Sequence, residues 1–233
     1  MPTLAIKSFP VSCSPTTDVL QHLINRIQTN APFTPVVTFN ITMLPAYQQD
    51  PDLAQWIKEH AIITADGMSV VLLGMLRYGK RVPRYPGIDM AHQLLANTNG
   101  LRVVLIGGSD AALQGTVAYI QSTFPSHSIV YAQNGYKTLA HNDMLSIKAQ
   151  APQLILIAQG CPKQDQTMQA LAEHVPTGVA IGVGGVFDVW SGQVPRVCKA
   201  WRWMGLEWLG RCLQNPRRFK RVLQGVVAVF LPM

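Results

Sequence analysis

The chain has 233 residues, 48% hydrophobic and only 13% charged, with a net charge of +7. That composition excludes a disordered chain, which would need low hydrophobicity and high charge; at this length about 70% of the unfolded surface can be buried. The charge is unevenly placed, because residues 196–233 hold eight cations against one acid, Glu207, and residues 1–195 are neutral.

In chain order, the N-terminal stretch MPTLAIKSFPVSCSPTT has neither the basic start nor the apolar run of a signal peptide. Residues 18–28 place Leu20, Leu23, Ile24 and Ile27 on one helical face. A strand at 36–39 runs into Thr38 and Asn40. Asp50-Pro51-Asp52 then precedes a helix at 53–58. Asp-x-Asp is a metal-holding pattern in many sugar transferases, but Asp with Pro in a first turn is ordinary helix-start chemistry, and capping is the favoured reading. A strand at 61–64 delivers Asp66-Gly67 ahead of the apolar segment 69–76, so Asp66 reads equally as a helix cap or a site residue.

The next strand, 102–106, opens through Gly107-Gly108-Ser109 into a helix at 110–122. Such a loop exposes backbone N–H groups to a phosphate, or is simply a tight turn. A strand at 128–131 and a helix at 142–150 follow. Strands at 154–158 and 178–183 end in Gly160-Cys161-Pro162-Lys163-Gln164 and in Gly184-Gly185, with Asp188 just beyond. Strands alternating with helices predict an α/β fold, a Rossmann-like, mostly parallel sheet flanked by helices, with ligands at the C-terminal strand ends. The predicted division is an α/β catalytic core over 1–195 and a basic, Trp-rich helical C-terminal appendage over 196–233.

Neither Gly-x-Gly-x-x-Gly nor a Walker P-loop occurs, which disfavours a nicotinamide enzyme and removes a P-loop ATPase. The four cysteines are scattered with no Cys-x-x-Cys pair, so reduced thiols in a cytoplasm are expected and no metal site is predicted. No uncharged apolar stretch reaches the roughly 18–20 residues of a spanning helix.

The loops follow a recognisable order. Thr38-Phe39-Asn40, Ala65-Asp66-Gly67-Met68, Arg84 with Gly87-Ile88-Asp89, Asn134-Gly135-Tyr136, residues 160–164, the run 182–188, Gly205–Arg211 and Asn215–Arg221 together resemble the WecG/TagA/CpsF glycosyltransferase family. The family usually has Glu at Asp165, and Arg-Ala-Pro where this chain has Arg196-Val197-Cys198. The resemblance implies inverting transfer of a sugar (N-acetylmannosamine, its uronic acid or glucose type) from a UDP-sugar to a polyprenyl-diphosphate-linked saccharide at the inner face of the bacterial membrane. It carries functional roles onto Thr38, Asn40, Asp66, Arg84, Tyr136, Gln164 and Asp188, with tail arginines Arg211, Arg218 and Arg221, and it makes Asp66 the base.

The residues suit that chemistry. Inverting transfer needs a base for the acceptor hydroxyl and positive charge or N–H donors for the departing diphosphate. Thr38, Asn40 and Gln164 offer neutral hydrogen bonds to a sugar, and Arg84 can grip a diphosphate bidentately. Gly107, Gly108 and Lys163 complete the candidate binding set. No metal or other cofactor is expected, because arginines supply the charge. Trp201, Trp203 and Trp208 among the tail cations match an interfacial membrane segment that meets an anionic surface. Packing on the core is the competing reading for the tail. If Arg211, Arg218 and Arg221 share one helix they lie within an arc of roughly 80°, a condition Pro216 threatens. A non-catalytic, membrane-docked nucleotide-sugar binder is the alternative function, nucleic-acid binding is disfavoured, and a homo-oligomer is left open.

Overall fold

Eight strands make one sheet in the order β1-β2-β4-β3-β8-β7-β5-β6, with β1 and β2 antiparallel and every other pairing parallel. They are β1 Thr3–Ile6, β2 Phe9–Ser12, β3 Thr34–Phe39, β4 Ile62–Ala65, β5 Arg102–Gly107, β6 Ser128–Gln133, β7 Leu154–Ala158 and β8 Val179–Gly182. This computed structural model describes residues 1–198, 201, 206–214 and 216–230.

Helices cover both faces, as the alternation of short apolar runs with helical periods predicts. One face packs α1 (Thr16–Gln28), α5 (Gly87–Ala96), α6 (Asp110–Thr123) and α9 (Val186–Trp190) over Val36, Leu105, Leu156 and Ile181. The other carries α2 (Leu44–Gln49), α3 (Pro51–His60), α4 (Met68–Tyr78), α7 (His141–Ala149) and α8 (Lys163–His174) over Val37, Ile63, Ile106 and Ile157. Neighbours such as Val36 and Val37 serve opposite faces and both are fully buried, which is why the central strands are continuous apolar runs.

The six strands expected from sequence are present with small boundary changes; β4 moves by one residue, so Asp66 follows its last residue directly. The hairpin β1–β2 is absent from the sequence reading. Its turn residues, Lys7 and Ser8, have φ of 49° and 65°, a geometry ordinarily signalled by Asn-Gly or Asp-Gly, and Pro10 argues against a strand. Asp50 caps α3, accepting from the Leu53 N–H at 3.1 Å with Pro51 behind it. Helix α4 starts from Gly67 rather than Asp66, so the capping role considered for Asp66 does not arise.

The tail forms α10 (Glu207–Gln214) and α11 (Arg217–Phe230). Arg211, Arg218 and Arg221 therefore do not share one helix: Pro216 has no N–H to continue α10 and a fixed φ suited to starting the next. Helix α11 lies on the 3-10 turn Ile41–Met43 and on α2. A Cβ on Gly225 would stand 2.8 Å from the Ile41 carbonyl oxygen, so the close approach requires glycine. Ala228 and Val229 are buried in the cluster that holds Leu4, Phe39 and Ile63. Among the described residues, two ion pairs join tail and core, Arg84 Nη2 to Glu207 Oε2 at 2.5 Å and Arg196 Nη2 to Asp89 Oδ1 at 2.6 Å.

Candidate active site

The C-terminal ends of β3, β4, β7 and β8 border a cavity of about 460 Å³, closed on one side by residues of α10 and α11. Thr38, Asn40, Asp66, Arg84, Gln164 and Arg221 line it. These six sequence candidates come from segments far apart in the chain, and the parallel strand ends bring them together.

Each is held by the local fold. Thr38 is buried on β3, and its hydroxyl donates to the Gly182 carbonyl at 2.8 Å, joining the ends of β3 and β8. Asn40 starts the 3-10 turn, its Oδ1 accepting from the Thr42 N–H at 3.2 Å. Its amide lies over Gly67, where a Cβ would come within 2.7 Å of Asn40 Nδ2. The backbone of Asp66 is pinned twice. Its N–H donates to the Phe39 carbonyl at 2.9 Å, and its carbonyl accepts from Arg84 Nε at 2.7 Å. Arg84 reaches that position because a lone parallel bridge pairs it with Ala65.

Gln164, buried at the start of α8, accepts through Oε1 from the Gly184 N–H at 3.0 Å and so orders the Gly184-Gly185 turn. A Cβ on Gly182 would meet Gln164 Nε2 at 2.8 Å. The site thus offers one half-buried carboxylate, neutral donors and acceptors on a rigid floor, a glycine turn, and guanidinium groups at Arg84 and Arg221.

Other candidates whose side chains are described lie outside the cavity wall. Gly107 (φ 136°) runs against β7 so closely that a Cβ would sit 2.4 Å from the Ala158 carbonyl carbon. The Gly108 carbonyl accepts from the Gly135 N–H at 2.8 Å. Lys163 Nζ donates to the Gly135 carbonyl at 2.6 Å. These contacts make residues 107–108 a tight turn that braces the neighbouring loop. Tyr136, on that loop, is 80% exposed. Asp188 sits in the first turn of α9, where its carbonyl accepts from the Val194 N–H at 2.9 Å. Arg211 and Arg218 belong to α10 and α11, their side chains lying outside the described residues, as does Trp203.

Several wall residues were not singled out from sequence. Glu207 is buried and engages Arg84; its signals in the sequence were its being the tail's single acid and its place in the Gly205–Arg211 motif, neither of which named a role for it. Cys161 lines the cavity above a fully buried carboxylate, Asp165, which accepts from the Tyr47 hydroxyl at 3.1 Å. Asp165 Oδ1 has no hydrogen-bond partner among the described residues. Burial pushes the Asp165 carboxyl up to about 6, against the opposing pull of hydrogen bonds from Cys161, Tyr47 and Gln164. Burial first, and Asp165 second, push the Cys161 thiol and the Tyr47 hydroxyl up as well. Cys161 is therefore a poor nucleophile despite its place in the cavity.

A model of the glycosyl transferase WecG/TagA/CpsF family matches residues 4–233, from β1 through both tail helices. The chain belongs to this family. It is a glycosyltransferase of cell-surface polysaccharide synthesis, acting with a nucleotide-sugar donor and a lipid-linked acceptor. No described helix of the transferase is long and apolar enough to cross a membrane.

Proposed function

We propose that the transferase moves a sugar of the N-acetylmannosamine, N-acetylmannosaminuronic acid or glucose type from a UDP-sugar to a polyprenyl-diphosphate-linked saccharide, with inversion, at the inner face of the bacterial membrane. The observation that carries this reading is the convergence of Asp66 with Thr38, Asn40 and Gln164 in one cavity beside two guanidinium groups. Asp66 takes the proton of the acceptor hydroxyl as that oxygen attacks the anomeric carbon. Thr38, Asn40 and Gln164 orient the sugar. Arg84 and Arg221, with the N–H groups of the Gly184-Gly185 turn, stabilise the charge that develops on the departing diphosphate. Arg84 already binds a carboxylate, that of Glu207, which supports its fitness for an oxyanion. Because cations and backbone donors supply this charge, the reaction proceeds without a metal. The basic, Trp-containing tail holds the protein at the anionic surface where the acceptor resides.

The test is a transfer assay with a panel of UDP-sugars and a lipid-linked acceptor, following UDP release and the product's anomeric configuration, with and without EDTA. Inverted product formed at the same rate in EDTA is expected. Stabilisation by a UDP-sugar without any product would establish the non-catalytic binder instead.

A further inference from the structure

Residues 1–195 are neutral in sum, yet their charge is not evenly spread. Between Asp66 and Asp89 the sequence contains no acid but four cations, Arg77, Lys80, Arg81 and Arg84. Arg84 faces the cavity, and the other three are exposed around the C-terminus of α4. The helix buries Val70, Val71 and Gly74 against the sheet. On another side, Met68, Leu72, Met75 and Leu76 follow the i, i+4, i+7, i+8 spacing of a single helical face. Met68 lines the cavity, whereas Leu72, Met75 and Leu76 are 48%, 51% and 85% exposed. An apolar row thus runs from the cavity wall outward and ends among three cations.

The end of that row is built, not loose. Gly79 closes α4 in the left-handed conformation (φ 62°), its N–H donating to the Met75 carbonyl at 3.1 Å, and the Lys80 N–H donates to the Gly74 carbonyl at 3.1 Å. Val82 folds over Gly74, where a Cβ would meet its Cγ2 at 2.8 Å. The Lys80-Arg81 turn is therefore fixed beside the exposed leucines. Helix α11 belongs to the same layer: Ala228 and Val229 share a buried cluster with Val70 and Val71. It too leaves apolar side chains exposed, at Phe219, Leu223 and Phe230.

We infer that the outward face of α4, with the Arg77–Arg81 turn, is a second membrane-docking surface, in the core itself, and that its partner is an anionic phospholipid bilayer. Apolar side chains bordered by cations are the chemistry of an interfacial contact. A second copy of the chain docking symmetrically would instead oppose three cations with three cations. With α4 and α11 both on the lipid, the protein meets the bilayer through one layer, and Met68 connects the docked row to the cavity. This inference rests on the proposed transfer to a lipid-linked acceptor, which puts the protein at a bilayer.

The experiment uses the full chain with phosphatidylglycerol/phosphatidylcholine vesicles, pure phosphatidylcholine vesicles as control, and a water-soluble acceptor analogue for activity. Each cation near an anionic surface strengthens binding about fivefold. Combining Arg77→Gln, Lys80→Gln and Arg81→Gln should therefore lower partition onto the anionic vesicles on the order of 100-fold, with transfer to the soluble analogue unchanged. Combining Leu72→Ser and Leu76→Ser should remove binding that persists in high salt, by about tenfold for each leucine. Wild-type partition in both variants would overturn the inference and assign docking to the tail alone. Failure of the intact chain to bind vesicles, with a dimer that the leucine variant dissociates, would overturn it in favour of self-association. Vesicle binding weakened by both variants in a protein that transfers no sugar would uphold the docking surface while removing the proposed reaction. Transfer to the soluble analogue without any vesicle binding would do the reverse.

Discussion

The cavity has one wall of strand ends and one wall of tail helices, and the two are held by different forces. Thr38, Asn40 and Asp66 stand at the ends of buried parallel strands and Gln164 at the start of α8, and hydrogen bonds to neighbouring backbone set each of them. Among the described residues, the tail wall is held by the ion pairs Arg84–Glu207 and Arg196–Asp89, the close contact at Gly225 and buried side chains that include Cys212, Ala228 and Val229. Strand-end geometry changes only when the sheet itself opens. Tail docking includes the partly exposed Arg196–Asp89 pair, which salt screens, so this wall responds to ionic strength where the buried strand ends do not. The division suits a transferase in which the groups proposed to orient the sugar are preorganised while the other wall responds to its surroundings.

The largest effect that would sharpen this contrast is chemical. Asp66→Asn keeps the shape of a strand-end residue and removes the proposed base, so turnover should fall about 10²–10⁴-fold while the affinity for the proposed UDP-sugar donor, measured by calorimetry, stays within a small factor. A variant that keeps near-normal turnover would transfer the base role to another group.

Next is the buried carboxylate beneath the rigid wall. Asp165 holds its proton more tightly in the native state, at about 6, than at the ordinary value of 3.8. Between those values the folded chain binds more protons than the unfolded one, so this group's contribution to stability falls as pH rises from about 4 to 6 and is lowest above that window. Asp165→Asn keeps an acceptor for Tyr47 and cannot ionise. It should gain stability at pH 7.5, on the order of 3 kcal/mol at most, and lose that advantage near pH 4. Denaturant midpoints at the two pH values check this; parallel behaviour of variant and wild type would remove the ionisation cost.

Glu207→Gln tests the other wall. It removes the charge opposite Arg84 and should weaken tail docking by about 1.5–3 kcal/mol, read as faster amide exchange in α10 and α11 with no change in β3 and β4. Exchange that accelerates equally in the strands would show that the two walls are one cooperative unit. The smallest effect is expected at Gly225→Ala. In an exposed helix that change stabilises by up to about 1 kcal/mol. Here the new methyl meets the Ile41 carbonyl, so the sign should reverse and α11 should exchange faster.

Much of the α/β scaffold was legible because its signals are local. Apolar runs of strand length bounded by glycine and polar residues marked six strands, and Asp50-Pro51 marked the start of α3 through a cap that spans three residues. The same locality made the N-terminal hairpin invisible, because Lys7 and Ser8 carry no turn signature although both have positive φ in the turn between the paired strands.

For the cavity, the order of the strand-end motifs in the sequence marked Thr38, Asn40, Asp66, Arg84 and Gln164, and these do meet there. The sequence also determined where the net charge lies. Tertiary structure decided the rest. It seated Glu207 on Arg84 across 123 residues and Tyr47 on Asp165 across 118, kept the Gly107-Gly108 turn out of the cavity wall, and split the tail arginines between two helices. Spacing along a chain reports contacts within a turn of helix or a strand pair. Pairings across more than a hundred residues exist only because the sheet order brings their elements together, and no local period encodes that order.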